Sequence, residues 1–255
     1  MSRTGTRFGP GVRRTAPAIC AAATALLLLA GCGGGGTAGA GSSPSPRPRQ
    51  GAPQPPSPPG AGSHRIPGVG ERLHAEIPDS ARQVVAVYGA GGDSGDATVV
   101  LYTRNGETWT RERRWPAHNG RRGWTPDHRE NDKRSPVGVF TLSDAGGVLP
   151  DPGAKLPYTR SDAFAAPRHW PMAYRHDFDY VIAIDYNRVR GTPPNHPARP
   201  LGQEKGGSIW LHMDHGSGTS GCVSLSRAGM EYLLRTLDPA RHPVIVMGDR
   251  RSLAS

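Results

Sequence analysis

The chain has 255 residues, a net charge of +10 at pH 7, 35 glycines, 26 prolines and only three cysteines. Its basic residues are scattered rather than clustered, which excludes the dense positive surface of a nucleic-acid-binding protein. Three cysteines exclude the multi-disulfide framework of many small exported domains. The length allows one domain of ordinary size together with further segments.

Residues 1–31 have the pattern of an export signal. Residues 1–15 contain four arginines and no acidic residue, and an apolar run follows from Ala16 to Ala30. A run of this length is too short to span a bilayer comfortably, and it is typical of a signal peptide. Arg13-Arg14 lacks the usual neighbours of a twin-arginine signal, so the sequence leaves the export route open.

The apolar run ends in "LAGC", whose cysteine is Cys32. This sequence resembles a bacterial lipobox, which implies cleavage before Cys32, lipidation of its sulfur and anchoring to the outer face of the cell membrane. The alternative is an ordinary signal peptide followed by a chance cysteine. Cys20 would leave with the signal, so Cys222 would have no partner for an internal disulfide. It is then a candidate reactive thiol or, alternatively, a small buried apolar side chain.

Residues 32–66 are rich in glycine, serine, proline and alanine and contain almost no apolar side chains. Such a segment cannot bury a core, so we expect a disordered linker. It would reach ~100 Å as a polyproline helix and roughly 30 Å as a flexible coil, which would let a tethered domain work at a distance from the membrane.

Residues 67–255 form the predicted folded domain, which is mainly β. Short β-branched or alternating runs, separated by turn residues, predict strands at 83–88, 98–103, 107–113, 137–142, 180–186, 208–212 and 243–248. One stretch has helical periodicity, with apolar side chains at Met230, Leu233, Leu234 and Leu237. Ser226 is the predicted N-cap of this helix, and Asp238-Pro239 ends it.

Cys222 falls in a glycine-rich loop between the strand ending near His212 and this helix. A thiol reacts as the thiolate and needs a neighbouring base near neutral pH. His212 and His215 are the nearest candidates, and His212 is favoured because a strand end holds a side chain more rigidly than a loop. Asp214 or a backbone carbonyl would orient the imidazole. No third ligand accompanies the two histidines at a useful spacing, so we expect no metal and no cofactor.

Four stretches together resemble the L,D-transpeptidase catalytic-domain family. "IWLH…TSGCVSL" resembles its signature of a strand-end histidine before a cysteine loop, and "SPVGVFTL" (135–142) resembles its "TPxGxF" strand. The run "GWTPDHRENDKRSPVG" (123–138) and the aromatic segment 169–187 are similar to one subgroup. The resemblance covers residues 80–248, which is essentially the whole predicted domain.

The resemblance implies a β-sandwich with a helix after the cysteine loop. It implies that Cys222 attacks a peptidoglycan stem tetrapeptide, that His212 is the base, and that backbone N–H groups around Gly221 and Cys222 hold the oxyanion. The resulting thioester would pass to an acceptor amine, forming a 3→3 crosslink, or to water, as in an L,D-carboxypeptidase. We expect a monomer that acts in the cell wall on peptidoglycan stem peptides.

The chain departs from the family at two positions beside the cysteine. Ser220 stands where many relatives have histidine, and Ser224 where many have arginine. His215, Ser220 and Arg227 are therefore candidate accessory residues. Arg227 or Arg188 would bind a substrate carboxylate, the alternative being a solvated surface arginine.

These departures also leave open a catalytically silent peptidoglycan-binding lipoprotein. The other common type of cell-wall cysteine peptidase is disfavoured, because its cysteine precedes its histidine in the chain, whereas here His212 precedes Cys222.

Overall fold

The structure is a computed structural model that describes residues 62–255. The predicted export signal, Cys32 and most of the predicted linker lie outside the described residues. Among the residues that are described, none of the helices has the length and apolar character needed to cross a membrane.

The described chain contains twelve strands, three α-helices and four 3-10 helices. The strands are β1 (Gln83–Gly89), β2 (Asp96–Asn105), β3 (Thr108–His118), β4 (Trp124–Thr125), β5 (Ser135–Pro136), β6 (Gly138–Thr141), β7 (Ala145–Gly147), β8 (Tyr158–Arg160), β9 (Val181–Ala183), β10 (Trp210–Met213), β11 (Val223–Leu225) and β12 (Val244–Asp249). The α-helices are α1 (Glu71–Ala75), α2 (Arg227–Thr236) and α3 (Arg250–Leu253). The 3-10 helices are Asp162–Phe164, Met172–Tyr174, Gln203–Lys205 and Pro239–Arg241.

Ten strands form one mixed sheet in the order β6-β12-β1-β2-β3-β11-β10-β9-β7-β8, and β4 pairs with β5 separately. The sheet curls, because only residues 142–144 join β6 near one end to β7 near the other, and so short a connection brings those ends together. The main core lies inside this curl, where Val99, Ile182, Leu211 and Ile245 from different strands pack in one cluster. The mainly β fold class is confirmed.

The seven predicted strands are all present, with ends shifted by up to five residues. The predicted helix is α2, and the Ser226 hydroxyl caps it by accepting a hydrogen bond from the Gly229 N–H at 3.2 Å. Strand β11, directly after Cys222, is an addition to the prediction, because three residues are too few to show alternation.

The folded part begins before residue 67, where the sequence analysis placed the domain boundary. Ser63 pairs with Trp109, with N···O distances of 3.0 and 2.6 Å. Ile66 is buried in a second apolar cluster against the outer side of the sheet. The last residues of the predicted linker therefore pack on the domain. This packing escaped the sequence analysis because Ile66 is a single apolar residue in a segment rich in glycine, serine and proline.

Candidate active site

Two adjacent parallel strands, β10 and β11, position the candidate nucleophile and base. Leu211 pairs with Val223 and His212 with Ser224. Leu211 and Val223 belong to the main core. Because side chains alternate along a strand, His212 and Cys222 extend from the opposite face. The structure therefore brings the two sequence-predicted residues to one face of neighbouring strands.

Gly221 lets the chain turn into β11 beside the loop that precedes β5. Its φ of +150° is in the range that favours glycine. A Cβ at this position would lie 3.0 Å from the carbonyl oxygen of Arg134 and 3.2 Å from Cδ1 of Ile209. Both neighbours are within tight contact, so a larger residue would displace the loop that carries Cys222.

The Cys222 thiol is half-buried and neutral in the resting site. Its Sγ lies 3.4 Å from the carbonyl oxygen of Ser208, to which the thiol donates. Burial raises the pKa of Cys222 to about 11, although the Trp210 backbone N–H lowers it and so offsets part of that shift. The charge of Asp177 raises the pKa of the thiol further.

His212 is buried, with 2% of its surface exposed. Its Nδ1 lies 2.8 Å from the carbonyl oxygen of Met213. A carbonyl only accepts hydrogen bonds, so Nδ1 carries the proton and Nε2 has the free lone pair. Burial lowers the pKa of His212 to about 4, so the imidazole is neutral at pH 7.

An aromatic segment packs over this face. The Phe178 ring lies 5.3 Å from the His212 ring, measured between centroids, and 5.4 Å from the Trp210 ring. Phe178 and Cys222 pack against the same small apolar cluster. Phe178 therefore contacts the surroundings of both the thiol and the imidazole, and it limits water around them.

His215 lies beside His212 rather than beside the cavity next to Cys222. The two imidazoles stack with 6.4 Å between centroids and 12° between planes. Nδ1 of His215 is 2.9 Å from Oδ2 of Asp177, and both side chains are almost fully buried. Burial raises the pKa of Asp177 to about 6, against the opposing effect of His215.

Asp214, one of the two predicted partners for an imidazole, does not orient His212. Its Oδ1 accepts hydrogen bonds from Ser224 Oγ and from His118 Nδ1, each at 2.7 Å. The Met213 carbonyl orients His212 instead, which was the alternative left open by the sequence. Ser224, where relatives have arginine, is buried and holds Asp214 in place.

The loop around the nucleophile is fixed by two hydroxyl groups. The Gly221 N–H donates to Thr219 Oγ1 at 3.1 Å, and that hydroxyl donates to the Cys222 carbonyl at 2.6 Å. Ser135 Oγ donates to the Gly221 carbonyl at 2.7 Å and accepts the Gly120 N–H at 2.8 Å. The Gly221 amide, predicted to hold an oxyanion, is thus already occupied. Within residues 62–255, the Cys222 N–H has no hydrogen-bond partner.

A small cavity of about 100 Å³ opens beside the thiol. Its lining residues are His128, Glu130, Asn131, Lys133, Gly207, Ser208, Ile209, Ser220, Gly221 and Cys222. Ser220, a predicted accessory residue, is therefore at the cavity. The described lining does not include His212, so the imidazole lies behind the thiol as seen from this cavity.

The two arginines predicted to bind a substrate carboxylate lie elsewhere. Arg227 is exposed, with its Nε 3.0 Å from Glu231 Oε1 and its guanidinium 5.4 Å from the Tyr180 ring centroid. Arg188 is buried and ion-paired with Asp144 and Asp185. Among the residues described, neither lines the cavity beside Cys222, and a nearby carboxylate already binds each of them.

A family model for the YkuD L,D-transpeptidase catalytic domain matches residues 93–246. The chain belongs to this family. The match contains both His212 and Cys222, and it confirms the resemblance drawn from the sequence motifs. The YkuD domain is a peptidoglycan-modifying transpeptidase domain, and the family acts on peptidoglycan stem peptides.

Other comparisons add little to this assignment. No curated protein matches the chain. A solved structure, that of Bdellovibrio bacteriovorus Bd1075, is 17% identical, with a TM-score of 0.37, and the alignment covers 66% of this chain and 48% of that one. The aligned part thus spans about half the length of that protein.

One histidine of this YkuD domain escaped the sequence analysis. His128 is 4% exposed and lines the cavity together with Cys222. Its Nδ1 lies 3.0 Å from Oδ1 of Asp132, and burial lowers its pKa against the opposing effect of Asp132. The sequence did contain a signal for this residue, because His128 lies four residues before Asp132 in the run 123–138 that resembles the family.

Proposed function

We propose that this protein is a peptidoglycan L,D-transpeptidase that acts through a thioester on Cys222. The observation that carries the proposal is the placement of His212 in β10 and Cys222 directly before β11 on one face of these neighbouring strands, with Cys222 lining a polar cavity. Membership of the YkuD family supplies the substrate class, a peptidoglycan stem peptide.

In the first half-reaction, Nε2 of His212 takes the thiol proton as Sγ attacks the carbonyl of the residue before the terminal D-amino acid. The Cys222 N–H, which is free of a partner among residues 62–255, stabilises the developing oxyanion. His212 then gives the proton to the departing amine. The products are a thioester on Cys222 and a free D-amino acid.

Proton transfer accompanies the attack rather than preceding it. With pKa values of about 11 for the thiol and about 4 for the imidazole, a resting thiolate–imidazolium pair is disfavoured. A base held close to a neutral thiol can still remove the proton as the new bond forms. The resting enzyme is accordingly protected from unwanted alkylation and oxidation, which require the thiolate.

In the second half-reaction, an amine from a second stem attacks the thioester and gives its proton to His212. The product is a 3→3 crosslink, and the thiol is restored. If water replaces the amine, the same site releases a tripeptide and acts as an L,D-carboxypeptidase. We propose crosslinking as the main outcome, because the solvent-facing rim of the cavity leaves the carbonyl accessible to a second peptide.

The enzyme would act from the outer face of the cell membrane, anchored through a lipid on Cys32. The "LAGC" sequence supports the anchor, and the glycine- and proline-rich segment after it supports reach into the wall. Labelling cells with a palmitate analogue tests this: the full chain should be labelled and Cys32→Ala should not. Equal labelling of the two would contradict the anchor.

The catalytic proposal is tested by incubating the protein with a carbapenem and with a disaccharide-tetrapeptide donor. The wild type should gain one carbapenem adduct by intact mass and convert the donor to 3→3 dimers. Cys222→Ala should do neither, whereas Ser217→Ala, an exposed change in the same loop, should behave as wild type. An adduct on Cys222→Ala would reject Cys222 as the nucleophile. Binding to sacculi without an adduct or product in the wild type would instead indicate a silent peptidoglycan-binding protein.

A further inference from the structure

Two side chains of opposite charge stand on the rim of the cavity beside Cys222. Lys133 is half-buried and Glu130 is exposed, and both line the cavity. The Lys133 ammonium donates one hydrogen bond, to Oδ1 of Asn131 at 3.3 Å. In the described part of the chain, neither Lys133 nor Glu130 forms an ion pair.

Three cations of neighbouring segments, by contrast, are already paired with carboxylates. Arg129 lies 3.0 Å from Asp127, Lys205 also binds Asp127, and Arg134 lies 2.7 Å from Asp93. Lys133 is thus a cavity-lining cation whose charge is not paired with a carboxylate of the described chain. Glu130 is a cavity-lining anion that likewise forms no ion pair there.

The loop that presents these two charges is held in one shape. Asn131 and Lys133 have φ angles of 66° and 63°, which are uncommon for residues other than glycine. Asp132 compensates by accepting the backbone N–H of Arg129 at 2.9 Å and that of Arg134 at 2.8 Å. Backbone strain maintained by local hydrogen bonds is characteristic of functional sites.

The two charges are also placed close to the thiol. Oε2 of Glu130 lies 3.1 Å from where a Cβ on Gly206 would be, so the carboxylate packs against the segment leading to Ser208. The carbonyl of Ser208 in turn accepts the hydrogen bond of the Cys222 thiol. A group joined to the sulfur can therefore extend along this segment toward Glu130 and Lys133.

We infer that Lys133 and Glu130 bind the far end of the donor's diamino acid side chain. The inference rests on the proposed function, in which the carbonyl of that diamino acid is bound to Cys222. A side chain that ends in both an ammonium and a carboxylate is complementary to this rim, with Glu130 accepting from the ammonium and Lys133 donating to the carboxylate. The enzyme would then prefer diamino acids of the diaminopimelate type with a free carboxylate.

The test compares three synthetic tetrapeptide donors that differ only at this far end: free carboxylate and amine, amidated carboxylate, and amine alone as in lysine. Thioester formation on the full chain is followed by rapid quenching and intact mass. The wild type should react about tenfold faster with the free carboxylate than with the other two. Lys133→Met should abolish this preference, and Lys133→Arg should retain most of it.

Arg129→Met is the matched control, since Arg129 is a cation of the same loop that does not line the cavity. It should keep the wild-type preference. Glu130→Gln should lose about tenfold selectivity for the free far amine over its acetylated form, while keeping the carboxylate preference. Each variant must also keep the wild-type thermal unfolding midpoint, which shows that the fold is intact.

Normal thioester formation at equal rates with free and amidated donors would overturn the inference and leave the proposed function standing. A Lys133→Met variant that slows all three donors equally would overturn it too, since Lys133 would then not recognise the carboxylate. If the wild type forms no thioester with any donor, the proposed function fails and the inference fails with it.

Discussion

The surroundings of Cys222 divide into two regions that differ in burial and charge. Behind the thiol, His212 stacks on His215 under Phe178, in an aromatic and almost solvent-free setting. In front of it, Lys133 and Glu130 stand at an open, polar cavity. Burial keeps Cys222 and His212 neutral, whereas Lys133 and Glu130 at the cavity rim are exposed enough to remain charged. The molecule thus separates proton transfer from substrate recognition on two sides of one sulfur.

The largest expected effect comes from replacing the histidine of each region in turn and comparing the two losses of rate. His212→Gln should lower the rate of thioester formation by about 10³-fold, because general-base catalysis contributes 10²–10⁴-fold. His128→Gln, on the cavity side, should change it much less, and both rates are measured by single-turnover mass spectrometry. The reverse order of effects would show that the buried region is not where the thiol proton goes.

The titration of the thiol provides a second test of the buried region. Since its pKa is raised to about 11, the thiolate fraction is small at pH 7, and the rate of alkylation by iodoacetamide should rise about tenfold per pH unit between pH 7 and 10. The rate is read from the mass of the carboxamidomethyl adduct at each pH. A plateau already reached below pH 8 would mean a preformed thiolate–imidazolium pair.

The glycine between the two regions offers a matched pair of substitutions. Gly221→Ala should lower the free energy of unfolding by about 2 kcal/mol or more and slow acylation, because the new Cβ meets the Arg134 carbonyl at 3.0 Å in an unfavourable backbone conformation. Gly216 has a φ of +82°, and a Cβ added there would have no neighbour within 4 Å. Gly216→Ala should therefore cost only the backbone strain of about 1 kcal/mol. Denaturant unfolding distinguishes them, and equal losses would contradict the steric argument.

The smallest effect is expected outside both regions. Arg227→Met should leave acylation and crosslinking rates within about twofold of wild type, as is usual for a surface change away from the site. Donor kinetics measure this directly. A loss of tenfold or more would return Arg227 to the site as the carboxylate-binding residue that the sequence suggested.

Much of the fold follows from local sequence patterns. β-branched alternation located β1, β2, β12 and other strands, and the 3.6-residue period located α2 with its Ser226 cap. These elements are predictable because their signals lie within a few consecutive residues. Strand β11 was missed, since three residues carry no period, and so was the packing of Ile66, a single apolar residue in a polar segment.

The surroundings of the site were less predictable, because they depend on residues that are distant in the chain. Asp177, not Asp214, pairs with His215, and it comes from a segment almost forty residues earlier. His128 reaches the Cys222 cavity from nearly a hundred residues away. Arg188 appeared available for substrate until the fold placed Asp144 and Asp185 against it.

The sequence by itself determined the family, the mainly β domain, and a thiol preceded by a strand-end histidine. Each of these follows from motifs or periodic patterns within short stretches of the chain. Tertiary structure alone decided that His212 is oriented by a backbone carbonyl, that Ser224 holds Asp214, and that Lys133 and Glu130 border the cavity. The physical reason is that strand order and sheet curl bring distant segments together, and neither is encoded in any short stretch of the chain.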